Sequence, residues 1–423
     1  MRAREDGGLA ALRVLLRGSH LSGPDDLPAL VQAAGTALGA RSAVAYVVDY
    51  GQVHLVPLVS CGVQDHVPHE VPVEGTLAGR AFADVVQHVS SAASGRSLWS
   101  PLLDGTERLG VLQLVLPPEV EPDHELLLVC TDVATLVAEL ITTRSQCGDA
   151  VERARRRAPM SVPAEMQWRQ LPPLTFVAPR VAVSGVLAPA NEVAGDSFDY
   201  ALNGDVMTVV VVDAMGHGLE STLLSSVAIA VLRNARRAGL GLSDAVREVD
   251  AVIQKQFGPD RFVTGVVGEL DVATGWWRWA PCGHPPALVV RGGRVVKELD
   301  TVVGVPLGLG LLGEDVEVGA ERFEPGDRLL LYTDGVVEAR DADGEFFGVQ
   351  RLGELVGRED AARRPAAETL RRLSHAILTH QEGALQDDAT TVLVEWLTDE
   401  PDRSLPQVVV PVATVSDPAA RVE

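Results

Sequence analysis

Apolar and polar positions alternate or run together in short blocks along the chain, and Gly, Pro, Asn and Asp separate them. In the N-terminal part, period-two or continuous apolar runs predict strands at 42–48, 53–59 and 109–116, and helical spacing predicts a helix at 77–82. A long helical pattern follows from Leu126, with apolar residues at Val129, Val133, Leu136 and Leu140, and continues to about Arg157. Arg153, Arg155, Arg156 and Arg157 then give way to Pro159 and Pro163, which reads as a helix ending in a linker. Beyond residue 165, strands are predicted at 181–187, 262–270, 276–280, 287–290, 329–332 and 390–396. Helices are predicted at 219–237, at 243–257 with Ser243 as its cap, and at 365–380 with Pro365 in its first turn. The division that follows is 1–145 as a small α+β domain, 146–165 as a helical linker, 166–397 as a second α+β domain and 398–423 as a loosely ordered tail. In the second domain two antiparallel sheets sandwiched between helices bury these faces, an α-β-β-α arrangement.

Composition narrows the function. A chain of 423 residues is long enough for two to three domains, and 46% hydrophobic with 22% charged residues is the balance of a globular protein. The formal charge of −22 repels phosphate backbones and anionic lipid, so neither nucleic acid nor a membrane surface is an expected partner. Cys61, Cys130, Cys147 and Cys282 form no CxxC pair, so neither a disulfide framework nor a cysteine zinc site is suggested and a reducing cytoplasm fits best. No apolar window reaches the roughly 18 uncharged residues of a membrane span, so no insertion is expected. The apolar stripe of the linker helix has two readings, pairing with a second copy to make a homodimer or packing on its own domain.

The chemistry lies in acidic residues at strand ends. Asn203-Gly204 is a strong hairpin signal, and a pairing of Leu202 with Asp205 sets Asp213 opposite Ala194 and diagonal to Asp196 on one sheet face. Diagonal Cα atoms are roughly 7–8 Å apart, a spacing suited to two cations about 3.5–4 Å apart. The same parity sends Asp199 to the other face. Asp334 follows the strand at 329–332, and Asp387 and Asp388 immediately precede the strand at 390–396. Four acidic strand-end sites without a matching basic cluster repel one another unless hard cations such as Mg²⁺ or Mn²⁺ compensate, and oxygen-only ligands disfavour zinc and copper. His217 in GHG either protonates a leaving alkoxide or orients water, and His284 in CGHPP either takes part or only fixes its loop. Trp276, Trp277 and Trp279 read as core and edge packing.

The ordered series AGDSFD, VVDAMGHG, PCGHPPALV, LYTDGVVEA and DDATTVLV resembles the metal-dependent serine/threonine phosphatases of the type 2C class, in the bacterial branch of stage II sporulation protein E and the stress-response phosphatases. The resemblance covers roughly residues 160 to 397. It implies two Mg²⁺ or Mn²⁺ ions, with Asp213 bridging them, the Ala214 carbonyl and Asp196 serving one, and Asp334 and Asp387 completing the other. Asp388 is the alternative to Asp387. It further implies hydrolysis of phosphoserine or phosphothreonine by metal-activated water, with a phosphorylated regulatory protein, such as an anti-sigma-factor antagonist, as substrate. A phosphatase of small phosphate esters and a non-catalytic signalling scaffold are the other readings. Ala194, Ser197, Cys282 and Gln386 depart from the family pattern, and Cys282 raises the prospect of redox sensitivity. Upstream, GTLAGRAFADVVQHV and LLDGTERLGVLQLVLP resemble a GAF domain, which implies a sensory role; Gly75, Gly79, Asp104 and Gly105 read equally well as turn residues.

Overall fold

The computed structural model describes residues 2–60, 68–92, 95–188, 195–313, 316–382 and 387–397. Ala194, Gln386, Cys61 and the tail at 398–423 lie outside these. The described chain falls into two compact units that divide after Ala158.

The first unit contains, in order, α1 (Arg2–Gly18), α2 (Leu27–Ala37), β1 (Ser42–Val48), β2 (His54–Pro57), β3 (Val71–Pro72), α3 (Leu77–Asp84), β4 (His88–Ala92), β5 (Gly95–Asp104), β6 (Glu107–Leu116), α4 (His124–Ser145) and α5 (Ala150–Arg155). Its six strands form one antiparallel sheet in the order β3-β2-β1-β6-β5-β4. One face packs on α1, α2 and α4 through Leu15, Val31, Leu112, Leu114 and Val133, and the other packs on α3 through Phe82, Tyr46 and Val111.

The long helix expected over 126–157 is two helices, because the chain leaves helical geometry between Ser145 and Ala150, where Gly148 stands. The stripe that suggested pairing with a second copy is used inside the unit, with Leu126, Val133 and Leu136 packed in the core. By length and composition α4 could cross a membrane. The sequence reading missed this because Asp132 and Glu139 interrupt the apolar run. Eight residues of α4 are buried in the unit's own core.

The second unit contains α6 (Val162–Gln170), β7 (Thr175–Ala178), β8 (Val181–Ala188), β9 (Asp196–Asn203), β10 (Val206–Ala214), α7 (Leu219–Arg237), α8 (Leu242–Phe257), β11 (Val263–Asp271), β12 (Trp276–Cys282), β13 (Leu288–Arg291), β14 (Arg294–Glu298), β15 (Gly319–Arg322), β16 (Arg328–Tyr332), α9 (Asp334–Val337), α10 (Gly348–Ala361), α11 (Ala366–His380) and β17 (Ala389–Trp396). A five-stranded sheet, β15-β12-β11-β10-β9, packs on a six-stranded sheet, β14-β13-β16-β17-β8-β7, and both are antiparallel.

Strand parity assigns each side chain its layer. Val209 and Val211 of β10 point between the sheets with Phe198, Trp277, Leu329, Leu331, Val392 and Val394. Val210 and Val212 point outward beneath α7 and α8. Leu330, Tyr332 and Leu393 point outward beneath α10 and α11. The inner strands are therefore covered on both faces, which is why β10 reads as an unbroken valine run and not as an alternation. Trp277 and Trp279 are buried and Trp276 lies half-exposed at the edge, as packing residues.

Helix α8 starts one residue earlier than expected and is capped by Gly241, so Ser243 lies inside its first turn. Pro365 is the cap residue of α11, immediately before the first helical turn.

Candidate active site

The β9–β10 hairpin carries two of the expected acids. Asn203 pairs with Val206, so the turn is Gly204-Asp205, with positive φ at Gly204. This register places Asp213 directly opposite Asp196 and corrects the diagonal arrangement expected from Asn203-Gly204. Directly opposite residues sit about 4.5–5.5 Å apart at Cβ, and like charges there repel. Both acids continue the inward parity of Val209, Val211, Phe198 and Tyr200, so they end the space between the sheets.

The other sheet delivers its acids to the same place. Thr333 follows β16 on the inward parity, and its Oγ1 donates to Asp196 Oδ2 at 2.7 Å. It does so in place of capping α9, to which it is the N-cap residue. The Thr390 N–H in turn donates to Thr333 Oγ1 at 3.0 Å. Asp334 opens α9 immediately afterwards. Asp388 is buried, and its Oδ2 accepts from the Gly195 N–H at 2.8 Å and the Asp196 N–H at 3.4 Å. Asp387 is exposed and acts on both Asp213 and Asp334. Of the adjacent pair, Asp388 braces the strand carrying Asp196, while the exposed Asp387 accepts from the Asp388 N–H through Oδ1 at 2.9 Å.

Two close approaches hold this assembly together. A Cβ on Gly195 would meet the Ala214 carbonyl oxygen at 2.4 Å, so only glycine leaves that oxygen uncovered. A Cβ on Gly335 would meet the Asp388 carbonyl oxygen at 1.9 Å, so the start of α9 rests on the start of β17 with no room for a side chain. Gly335→Ala is therefore expected to cost at least about 1–3 kcal/mol as an overpacked position, read as a lowered urea midpoint at unchanged m-value.

The electrostatics carry the signature of gathered carboxylates. Burial pushes Asp213 up to about 7, with further elevation from Asp334, Asp387 and Asp388. Burial likewise raises Asp196 well above the ordinary carboxylate range, followed by Asp213 and Asp388, while Thr333 opposes the shift. Burial and then Asp387 raise Asp334. Among the described residues none of Asp196, Asp213, Asp334 and Asp387 has a Lys or Arg as an ion-pair partner. No group of three or more His, Cys, Asp or Glu among them is already close enough to hold an ion. A donor set of carboxylate oxygens and a carbonyl suits a hard, partly hydrated cation such as Mg²⁺, which is held by one or two carboxylates and keeps several waters.

Asp199 is on the opposite face, as its parity requires. It is buried and accepts from Arg233 Nε at 3.0 Å and Arg236 Nη1 at 3.0 Å, which ties β9 to α7. His217 is exposed in the bend after β10. Cys282 is fully buried and its thiol is pushed up to about 12 by burial and then by Asp250, the state of an inert core residue; this removes the redox reading. Gln167 of α6, which sequence reasoning missed, is buried and donates through Nε2 to the Asp196 carbonyl at 2.5 Å. No periodicity or motif marks it; only the bond from α6 to the start of β9 shows its role.

Residues 203–397 match the family model described as stage II sporulation protein E. The protein IcfG of Synechocystis is 24% identical over 265 residues, which is 56% of this chain and 39% of that protein. The phosphoserine phosphatase RsbU of Bacillus subtilis is 21% identical over 213 residues, 50% of this chain and 62% of the relative. This chain thus spans less than two thirds of either relative. Among solved structures, the RsbU and RsbW domains of a Mycobacterium tuberculosis protein align with a TM-score of 0.46 and 26% identity, covering 52% of this chain and 63% of that one. Asp213, Asp334 and Asp387 lie inside the matched stretch and Asp196 lies just before it, where the hairpin joins it to Asp213. Residues 203–397, all within the second unit, thus resemble the stage II sporulation protein E family.

Proposed function

We propose that the second unit is a Mg²⁺- or Mn²⁺-dependent phosphatase acting on phosphoserine or phosphothreonine of a regulatory protein, under control of the first unit. The observation that carries this reading is the meeting of Asp196 and Asp213 from one sheet with Asp334 and Asp387 from the other at a single rim, where burial and mutual repulsion raise three of the four. The name of the relative RsbU, a phosphoserine phosphatase, supports the substrate class.

In this reading Asp196, Asp213, the Ala214 carbonyl, Asp334 and Asp387 would hold two cations. When bound, the cations supply an activated water near neutral pH and positive charge for the phosphoryl oxygens. The chain's own residues set the stage. Thr333 orients Asp196, Asp388 and Gln167 fix the backbone on either side of it, and Gly195 leaves the Ala214 carbonyl open. His217, exposed four residues after Asp213, is the candidate to protonate the leaving alkoxide. A free Ser or Cys nucleophile is not needed, and the buried Cys282 does not offer one. The first unit, with its GAF-like motifs, is assigned the sensory role, and the substrate is a small phosphorylated regulator such as an anti-sigma-factor antagonist.

The test is Mn²⁺-dependent phosphate release from a phosphoserine protein compared with a small aryl phosphate. Faster turnover of the phosphoprotein, judged by kcat/KM, supports the proposal. Preference for the free ester points to a phosphatase of small esters, and no release with either metal points to a binding scaffold.

A further inference from the structure

Thr264 stands directly opposite Asp213 in the β10–β11 pair. Its Oγ1 lies 3.0 Å from Nδ1 of His284, in the turn that follows β12. That turn is fastened to the same strand, since Gly283 bridges Gly265. The other ring nitrogen, Nε2, is buried and has no hydrogen bond of good geometry among the described residues. The Tyr332 main chain lies close enough to favour a proton on the ring. Tyr332 ends β16, two residues before Asp334. The imidazole therefore stands between the strand pair that bears Asp213 and the strand that leads into Asp334, and these belong to different sheets.

We propose that His284 is a positioning residue that pins the two sheets at the acidic rim, through Thr264 on one side and the Tyr332 main chain on the other, and so sets the Asp213 to Asp334 separation that a divalent cation requires. The proposal rests on the metal-dependent reading above. Its chemistry is that of a neutral ring. Thr264 has one hydroxyl proton; donated to Nδ1, it leaves the ring proton on Nε2. The contact from Thr264 Oγ1 to the Asp213 carbonyl is long, at 3.5 Å, which agrees with the proton being given to the imidazole. Burial holds the ring neutral, with its pKa down to about 4, so the pin persists across the working pH range.

The experiment uses the full chain and Mn²⁺ alone, following free Mn²⁺ by electron paramagnetic resonance, with metal-free thermal melting of each variant beside it. His284→Ala and Thr264→Val are each expected to weaken Mn²⁺ binding about tenfold or more, as loss of a group that orients ligands does. Their double variant is expected to be no weaker than the stronger single, because both break one link. His284→Asn and Thr264→Ser, which keep a polar partner in place, are expected to stay within about threefold of the parent. Wild-type affinity in His284→Ala, additive losses in the double variant, or no rescue by the conservative variants would overturn the proposal. Should His284→Ala not fold, Thr264→Val against Thr264→Ser decides it. A parent chain that binds Mn²⁺ but releases no phosphate defeats the phosphatase reading and leaves the pin standing. A parent chain that does not bind Mn²⁺ defeats both.

Discussion

Asp213→Asn is expected to lower metal-dependent phosphate release by roughly 10³-fold or more and, in the same protein, to raise the melting temperature of the metal-free form. The two effects share one cause. Burial, and then the charges of Asp334, Asp387 and Asp388, make the Asp213 charge unfavourable until a cation compensates. Asparagine keeps the shape and one oxygen but removes the charge, which relieves the repulsion and would remove an anionic ligand from the proposed metal site, a contribution of several kcal/mol to the transition state. The pair of measurements discriminates: a merely structural residue would lose stability along with activity. Full activity in Asp213→Asn would remove the proposed mechanism.

The second large effect concerns pH. The folded-state pKa of Asp213 is raised to about 7 from an ordinary carboxyl value of 3.8, so between those values the folded protein holds more protons than the unfolded chain. Stability then falls as pH rises through this window, by up to a few kcal/mol for a carboxyl displaced that far. Asp196 and Asp334 are displaced in the same direction and add to the trend. Metal-free protein treated with a chelator is thus expected to be more stable near pH 5 than near pH 8. Saturating Mn²⁺ should flatten or reverse the slope, since the ion binds the ionised form and only the folded chain. Urea midpoints at the two pH values, with and without Mn²⁺, provide the check. A metal-free protein whose stability rises from pH 5 to pH 8 would show that these carboxyls are not gathered.

Much of the second unit was legible because its strands are short apolar runs closed by acids and glycines. Helix α7 falls over 219–237 as the periodicity indicated, and β16 and β17 differ from expectation by one residue. The facing of Asp213 and Asp196 was also legible, because pairing parity survives a two-residue slip. Their exact relation was not. The turn took Gly204 as its first residue in place of its second, and the carboxylates moved from diagonal to opposite. Local preference ranks turns, while the packing of Phe198 and Val211 between two sheets selects among registers of equal parity.

The amino-acid sequence alone determined that acidic side chains would end several strands of one sandwich domain, because residue type, spacing and strand period are local properties. Only the tertiary structure decided that two different sheets bring those ends to one rim, that Asp388 braces a backbone while Asp387 lies exposed, and that Thr333 and Gln167 bond to Asp196. Those relations join residues tens to nearly two hundred positions apart. They exist because close packing and the need to satisfy buried polar groups leave each side chain few places to go.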